Sequence, residues 1–308
     1  MVVGVVLAAV AAVLTSHEVD FVETGAGKIL RRAALPSEGL AVFAAPDARV
    51  LVPLAGDDAT AVVTPQGEVS RWPGHLFPLF FDEMDRMHVV VPGAVATLSY
   101  PERLPLNRVD VAGLLGARRA ACSHDGRLVV VAPAGTAAPS VLLVAAAPGG
   151  SFTRVALAAE PLTVAAAPDA AWAAVGLADG TVVLVGLSAP AASAPVAVGG
   201  EVTGLAVSPD GRWLVVAARS GQVGRIEAWR IDARASPPLK EKIRTATDAP
   251  VDAVAVAGDE VVAIVNGSVS VFGRMGRKEL RRVPLPGARA LSMLPDRPES
   301  VLPAWSDR

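Results

Sequence analysis

The feature that most constrains this 308-residue chain is a turn that keeps returning. Runs of small apolar residues break at Ala45-Pro46-Asp47-Ala48-Arg49, Phe81-Asp82-Glu83-Met84-Asp85-Arg86, Ser123-His124-Asp125-Gly126-Arg127 and Ala167-Pro168-Asp169-Ala170. They break again at Ser208-Pro209-Asp210-Gly211-Arg212, Ala257-Gly258-Asp259-Glu260 and Leu294-Pro295-Asp296-Arg297. The steps between the turn aspartates are 38, 40, 44, 41, 49 and 37 residues. Asp and Gly accept turn conformations that most residues resist, so alternation broken by such a turn reads as strand, hairpin, strand. Glu201–Asp232 is the fullest copy, with three alternating runs separated by Ser208-Pro209-Asp210-Gly211 and Ser220-Gly221. One such unit buries a single face of each strand and needs neighbours of its own kind. Helical repeats of similar length would place apolar residues three and four apart, a pattern almost absent here.

Composition agrees with small, closely packed strands. The chain is 52% apolar but only 4% aromatic and 19% charged, against about 25% charged in an average domain. Its 25 prolines and 28 glycines are spread over many turns and mark no single linker. Net charge is −2, and basic residues gather only at Lys240–Arg244 and Arg274–Arg282, so nucleic acid is not an expected partner. One cysteine, Cys122, gives neither a disulfide framework nor a zinc motif and reads as a small core residue of an inner strand. The apolar run Val2–Leu14 is too short to span a bilayer and lacks the cation that opens a secretory signal. Ala9–Ser16 is expected as a strand and the protein as cytoplasmic with no integral membrane span; the alternative is export, if residues 1–16 are a signal or anchor.

The chain resembles a divergent, bacterial-like member of the WD-repeat or YVTN-type β-propellers. Ser208-Pro209-Asp210-Gly211-Arg212-Trp213 stands at the first hairpin, and Ala228-Trp229-Arg230-Ile231-Asp232 stands where WD-repeats carry Trp-Asp, with Arg230 in place of the Asp. Gly74-His75 resembles the family's Gly-His pair, ahead of Ser99-Tyr100 near the Trp-Asp position. The resemblance implies an all-β fold: one closed β-propeller domain over 1–308, with seven four-stranded blades. Blade boundaries are expected near 1–38 plus 288–308, 39–74, 75–110, 111–158, 159–199, 200–248 and 249–287. The C-terminal strand Ala290–Leu294 would pair with the three N-terminal strands and close the ring, removing the sheet edges that invite aggregation. Six blades remain an alternative if 75–109 is misread, and eight if Val2–Ala8 forms a strand.

Functional residues are sought where second-to-third turns and blade-to-blade connections meet, around the channel mouth. His17, Asp57, Asp58, Arg71, Trp72, His75, Arg118, Arg119, Arg219, Gln222 and Asp248 are expected on that face. Arg71, Trp72, His75, Arg118, Arg119 and Arg219 are the candidate partner-binding residues, because Arg and aromatic side chains are enriched in interface hot spots. Phe77–Phe81 reads either as part of that surface or as blade core. His17, Asp57, Asp58 and His75 could together ligate a divalent ion, or form solvated loops that never meet. Catalytic residues and cofactors are not expected. No Gly-x-Ser-x-Gly is present, His88 sits within a strand, His124 lies in a turn on the opposite face, and Gly25-Ala26-Gly27-Lys28 fits a hairpin better than a phosphate loop. The expectation is a non-catalytic protein-interaction module, a monomeric propeller within a complex. The alternatives are a small-molecule or metal-binding propeller, or a lactonase-like hydrolase, which the YVTN-type resemblance implies.

Overall fold

The structure is a computed structural model. It describes residues 9–74, 76–81, 85–91, 93–111, 117–123, 129–133, 141–145, 151–169, 171–186, 191–232, 239–273 and 275–294. The alternating runs form strands throughout. The N-terminal piece gives β1 (Val10–Leu14), β2 (Glu18–Glu23) and β3 (Lys28–Ala34), and the next unit β4 (Phe43–Ala44), β5 (Val50–Pro53), β6 (Ala59–Val63) and β7 (Val69–Pro73). There follow β8 (Phe77–Phe81), β9 (Met87–Val91), β10 (Ala94–Leu98) and β11 (Pro105–Asp110), then β12 (Ala117–Cys122), β13 (Val129–Pro133), β14 (Val141–Ala145) and β15 (Thr153–Ala156). The cleaner half of the sequence gives β16 (Pro161–Ala166), β17 (Trp172–Leu177), β18 (Thr181–Gly186) and β19 (Val196–Ala197), then β20 (Glu201–Val207), β21 (Trp213–Ser220), β22 (Val223–Ile231) and β23 (Leu239–Thr247). Last come β24 (Val251–Ala257), β25 (Glu260–Val265), β26 (Ser268–Gly273), β27 (Lys278–Pro284) and β28 (Ala290–Met293).

Among the described residues these strands make seven four-stranded antiparallel sheets. Six are meanders of consecutive strands. The remaining one has the order β28-β1-β2-β3, so the last strand lies beside the first three. Its register runs Ala11 to Met293, Ala12 to Ser292, Val13 to Leu291 and Leu14 to Ala290. We number the sheets I to VII, with sheet I holding β28 and β1–β3. The first strands of neighbouring sheets lie against one another, β28 on β4, β8 on β12, β12 on β16, and so on to β24 on β28. First strands are therefore innermost and fourth strands outermost, giving the propeller arrangement of an all-β chain.

Apolar seams hold the sheets together. Val19 and Phe21 of sheet I meet Val50, Val52, Ala61 and Val63 of sheet II. Trp172, Val182 and Val198 of sheet V meet Leu214, Val216 and Trp229 of sheet VI, and Ala11 and Val13 of sheet I meet Val262 and Ile264 of sheet VII. Each Val, Leu, Ile or Phe side chain taken from water into a seam is worth about 1.5–3 kcal/mol. Val10–Leu14 is buried throughout in the second position of sheet I, as the strand reading of Ala9–Ser16 expected.

The recurring turn joins the first strand to the second. Asp47, Asp85, Asp169, Asp210 and Asp259 all lie between those two strands, while Asp125 and Asp296 fall outside the described residues. At the best copy, Ser208 Oγ donates to Asp210 Oδ1 (2.5 Å), and Gly211 takes a φ of 69°, which an L side chain adopts only with strain. The outermost strand of sheet V is only the two residues of β19, because Pro195 has no N–H to extend the ladder.

Candidate functional site

Within each sheet the chain alternates direction, so second-to-third turns and sheet-to-sheet connections share one face. Backbone hydrogen bonds tie the two kinds of loop together: Leu35 N to His17 O, Ala55 N to Glu38 O, Gly74 N to Asp58 O, Ala178 N to Glu160 O, Val198 N to Gly180 O and Leu285 N to Gly267 O. This is the face on which the sequence analysis sought functional residues.

Among the described residues, a charged side chain stands at or near the head of five innermost strands on this face. Glu38 precedes β4, Glu160 precedes β16, Glu201 opens β20, Asp252 is second in β24 and Arg289 precedes β28. Arg118 and Arg119 lie near the head of β12, with Arg119 opposite Ala132, but their side chains fall outside the described residues. His75, before β8, is also outside them. Gly74 and Leu76, which flank position 75, are anchored by the buried Thr60: its hydroxyl donates to Gly74 O (3.0 Å) and accepts from Leu76 N (3.0 Å).

Ion pairs fix most of these groups. Arg219 grips Glu201 with two hydrogen bonds, Nε to Oε2 at 2.8 Å and Nη2 to Oε1 at 3.1 Å. Arg289 reaches Glu38 Oε1 at 2.6 Å and also donates to Gly39 O. Arg282 holds Asp248 through two bonds, at 3.1 and 3.2 Å, and Glu279 through two more. The Arg282 guanidinium holds Asp248 below the ordinary carboxylate range. Asp252 moves the other way: burial raises it, and the nearby Arg219 offsets only part of that rise.

The other candidate residues separate. Arg71 projects from β7 and pairs with Asp57 (Nη2 to Oδ2, 3.1 Å), which also accepts from Ser37 Oγ at 3.1 Å. His17 is exposed in the β1–β2 turn. Among the described residues no three His, Cys, Asp or Glu side chains gather as a metal site requires. Trp72 corrects the expected loop contact. It lies in β7 opposite Thr60, and its ring enters the seam between sheets II and III, 6.0 Å from the Tyr100 ring and 4.9 Å from the Arg103 guanidinium. The reason is strand phase: residues at even positions of β7 face sheet III, whereas Arg71 faces the other way. Of Phe77–Phe81, only the Phe81 side chain is described; it packs edge-on against Tyr100 at 5.0 Å, within the core.

The structure also reveals a repeated rank that sequence reading missed. On the outermost strands, Arg32 faces Asp20, Arg71 faces Ala61, Arg108 faces Ala96, Arg154 faces Leu143, Arg244 faces Glu227 and Arg282 faces Ser270. Each partner stands at the same level of the third strand, so six sheets carry an arginine at one equivalent place. Sheet V lacks it: continuing the β18–β19 register brings Pro195 opposite Val183. The signal was present as one arginine in the outer run of most units, but variable loop lengths hid the alignment.

No protein-family model matches the chain, and no curated protein matches it. Solved structures do. A functionally unknown protein from Desulfotomaculum acetoxidans superposes with a TM-score of 0.76 at 13% identity, covering 92% of this chain and 98% of its own. A Bacteroides fragilis protein with a provisional 6-phosphogluconolactonase assignment gives 0.70 at 11% identity, covering 95% and 99%. Apo AztD from Citrobacter koseri gives 0.66 at 10% identity, covering 93% and 98%. At these identities the likeness speaks for the fold alone. It is a propeller-like fold. The narrower WD-repeat or YVTN-type assignment finds no family match.

Proposed function

We propose that the seven sheets are the blades of one closed propeller acting as a non-catalytic interaction module, which docks a partner protein segment over its channel mouth. The observation that carries this reading is the two-bonded Arg219–Glu201 pair at the head of β20, beside Asp252 at the head of β24. Ion pairs hold these side chains in fixed directions at the rim, and a rigid rim lowers the ordering cost of docking. Arg71, held by Asp57, extends the same polarised surface outward over sheet II.

The test is capture of partners from an extract of the native host by the intact chain, with Arg219→Glu and Arg71→Glu variants alongside. A protein retained by the intact chain and lost with either variant supports the reading. Equal capture by all three removes the site. The lactonase-like alternative draws on the fold shared with the Bacteroides fragilis protein; turnover of 6-phosphogluconolactone by the purified chain would overturn the non-catalytic reading.

A further inference from the structure

The arginine rank contains its own control. Arg32 faces two carboxylates, Asp20 at 2.7 Å and Glu18 at 3.4 Å, and Arg282 likewise faces Asp248 and Glu279. Arg71 and Arg108 each face one, Asp57 and Asp110. In sheet VI the balance reverses. There a single carboxylate, Glu227, is fully buried and meets Lys242 Nζ at 2.6 Å, Arg244 Nε at 2.7 Å and Arg225 Nη1 at 3.8 Å. It also accepts the Trp229 indole proton at 3.0 Å, and Lys242 Nζ lies 5.1 Å from the centroid of that ring.

Among the described residues, then, three cations share one anion, which leaves two positive charges uncompensated. They face the seam toward sheet V, where the outermost strand is only Val196–Ala197 and the ranked arginine is missing. Arg225 reaches across that seam to Val198 O at 2.9 Å. Glu227 lies beneath the cations and orients them, while the Arg244 side chain is 53% exposed, so donors remain directed outward.

We propose that Arg225, Lys242 and Arg244 bind a doubly charged oxyanion, the chemistry of a phosphoryl group, at the outer seam between sheets V and VI. The charge matches the excess, and a guanidinium fork beside an ammonium suits a phosphoryl group. None of the three cations belongs to the Arg219–Glu201 pair or to Arg71–Asp57, so this site stands or falls independently of partner docking at those residues.

The experiment is calorimetric titration of the full chain with inorganic phosphate, and separately with O-phosphoserine, against chloride at matched ionic strength. One saturable site is expected for at least one probe, with the tighter probe showing whether the free ion or its ester is the source. Lys242→Ala and Arg244→Ala should each weaken binding about tenfold, the equivalent of one charge-assisted hydrogen bond. Arg108→Ala, in the balanced rank of sheet III, should leave binding unchanged. Should Arg244→Ala fail to fold, Lys242→Ala alone decides. No saturable binding of either probe, or binding undiminished by the sheet VI variants, overturns the proposal.

Discussion

Tyr100 donates its phenolic proton to Oδ1 of Asp47 at 2.8 Å, joining the third-to-fourth turn of sheet III to the first turn of sheet II. Arg49 completes the contact, with Nε on Asp47 Oδ2 at 2.6 Å and its guanidinium 5.1 Å from the Tyr100 ring centroid. Burial and then the Asp47 carboxylate drive the phenol well above its usual range. Tyr100→Phe leaves the ring in place and removes the hydrogen bond to a charged acceptor. It should cost about 1–3 kcal/mol in denaturant unfolding.

The same pair sets an acid limb. Burial alone would raise Asp47, but hydrogen bonds from Arg49 and Tyr100 outweigh it and hold the carboxyl below the ordinary range. A depressed folded-state value means that the stabilisation is complete above the unfolded value, about 4, and is lost as pH falls through the folded value. Asp47→Asn should therefore flatten the fall of melting temperature below about pH 4, compared with the unaltered chain.

Asp252 predicts the opposite sign. Its carboxyl is raised by burial, so the charged form costs stability at neutral pH. Asp252→Asn should raise the melting temperature at pH 7. The gain should vanish once acid protonates Asp252 in both folded and unfolded states, which a melting series down to about pH 3 would show.

Glu227 is a buried ion-pair centre, and such centres tolerate the loss of their one anion poorly. Glu227→Gln keeps the shape but strands Lys242, Arg225 and Arg244 around a neutral amide. Destabilisation of about 3–5 kcal/mol is expected in denaturant unfolding, more than for any single partner cation, which solvent can still reach.

Gly180 should resist substitution. Its φ is 79°, and a Cβ there would stand 2.6 Å from the Gly200 carbonyl oxygen, in the connection between sheets V and VI. Gly180→Ala therefore combines left-handed strain with a backbone clash, for a loss of about 2 kcal/mol or more by thermal or chemical unfolding.

Much of the fold was legible because turns and alternation are local. The aspartate turns gave the spacing of the sheets, and the alternating runs gave most strands to within a residue or two. Ala290–Leu294, for example, is β28 with one residue more. Even the pairing of Ala290–Leu294 with the N-terminal strands followed from counting strands, since one unit began with three and another ended with one. The candidate site was less legible. Arg219 and Asp57 were placed on the correct face, but their partners Glu201 and Arg71 depend on register across strands. Trp72 was read as a loop contact because its sequence neighbours are turn formers, whereas its strand phase directs the ring into a seam.

The turn that recurs about every 40 residues was enough, by itself, to determine repeated antiparallel hairpins with small apolar faces, and those faces had to stack. It did not determine which charges would meet. Glu38 and Arg289 pair across 251 residues, Asp47 and Tyr100 across 53, and the cations around Glu227 converge from two neighbouring strands, β22 and β23. Turn conformation is a property of a few adjacent residues. Ion pairing depends on the third dimension, because only strand register and sheet-on-sheet packing bring the partners within reach and out of water.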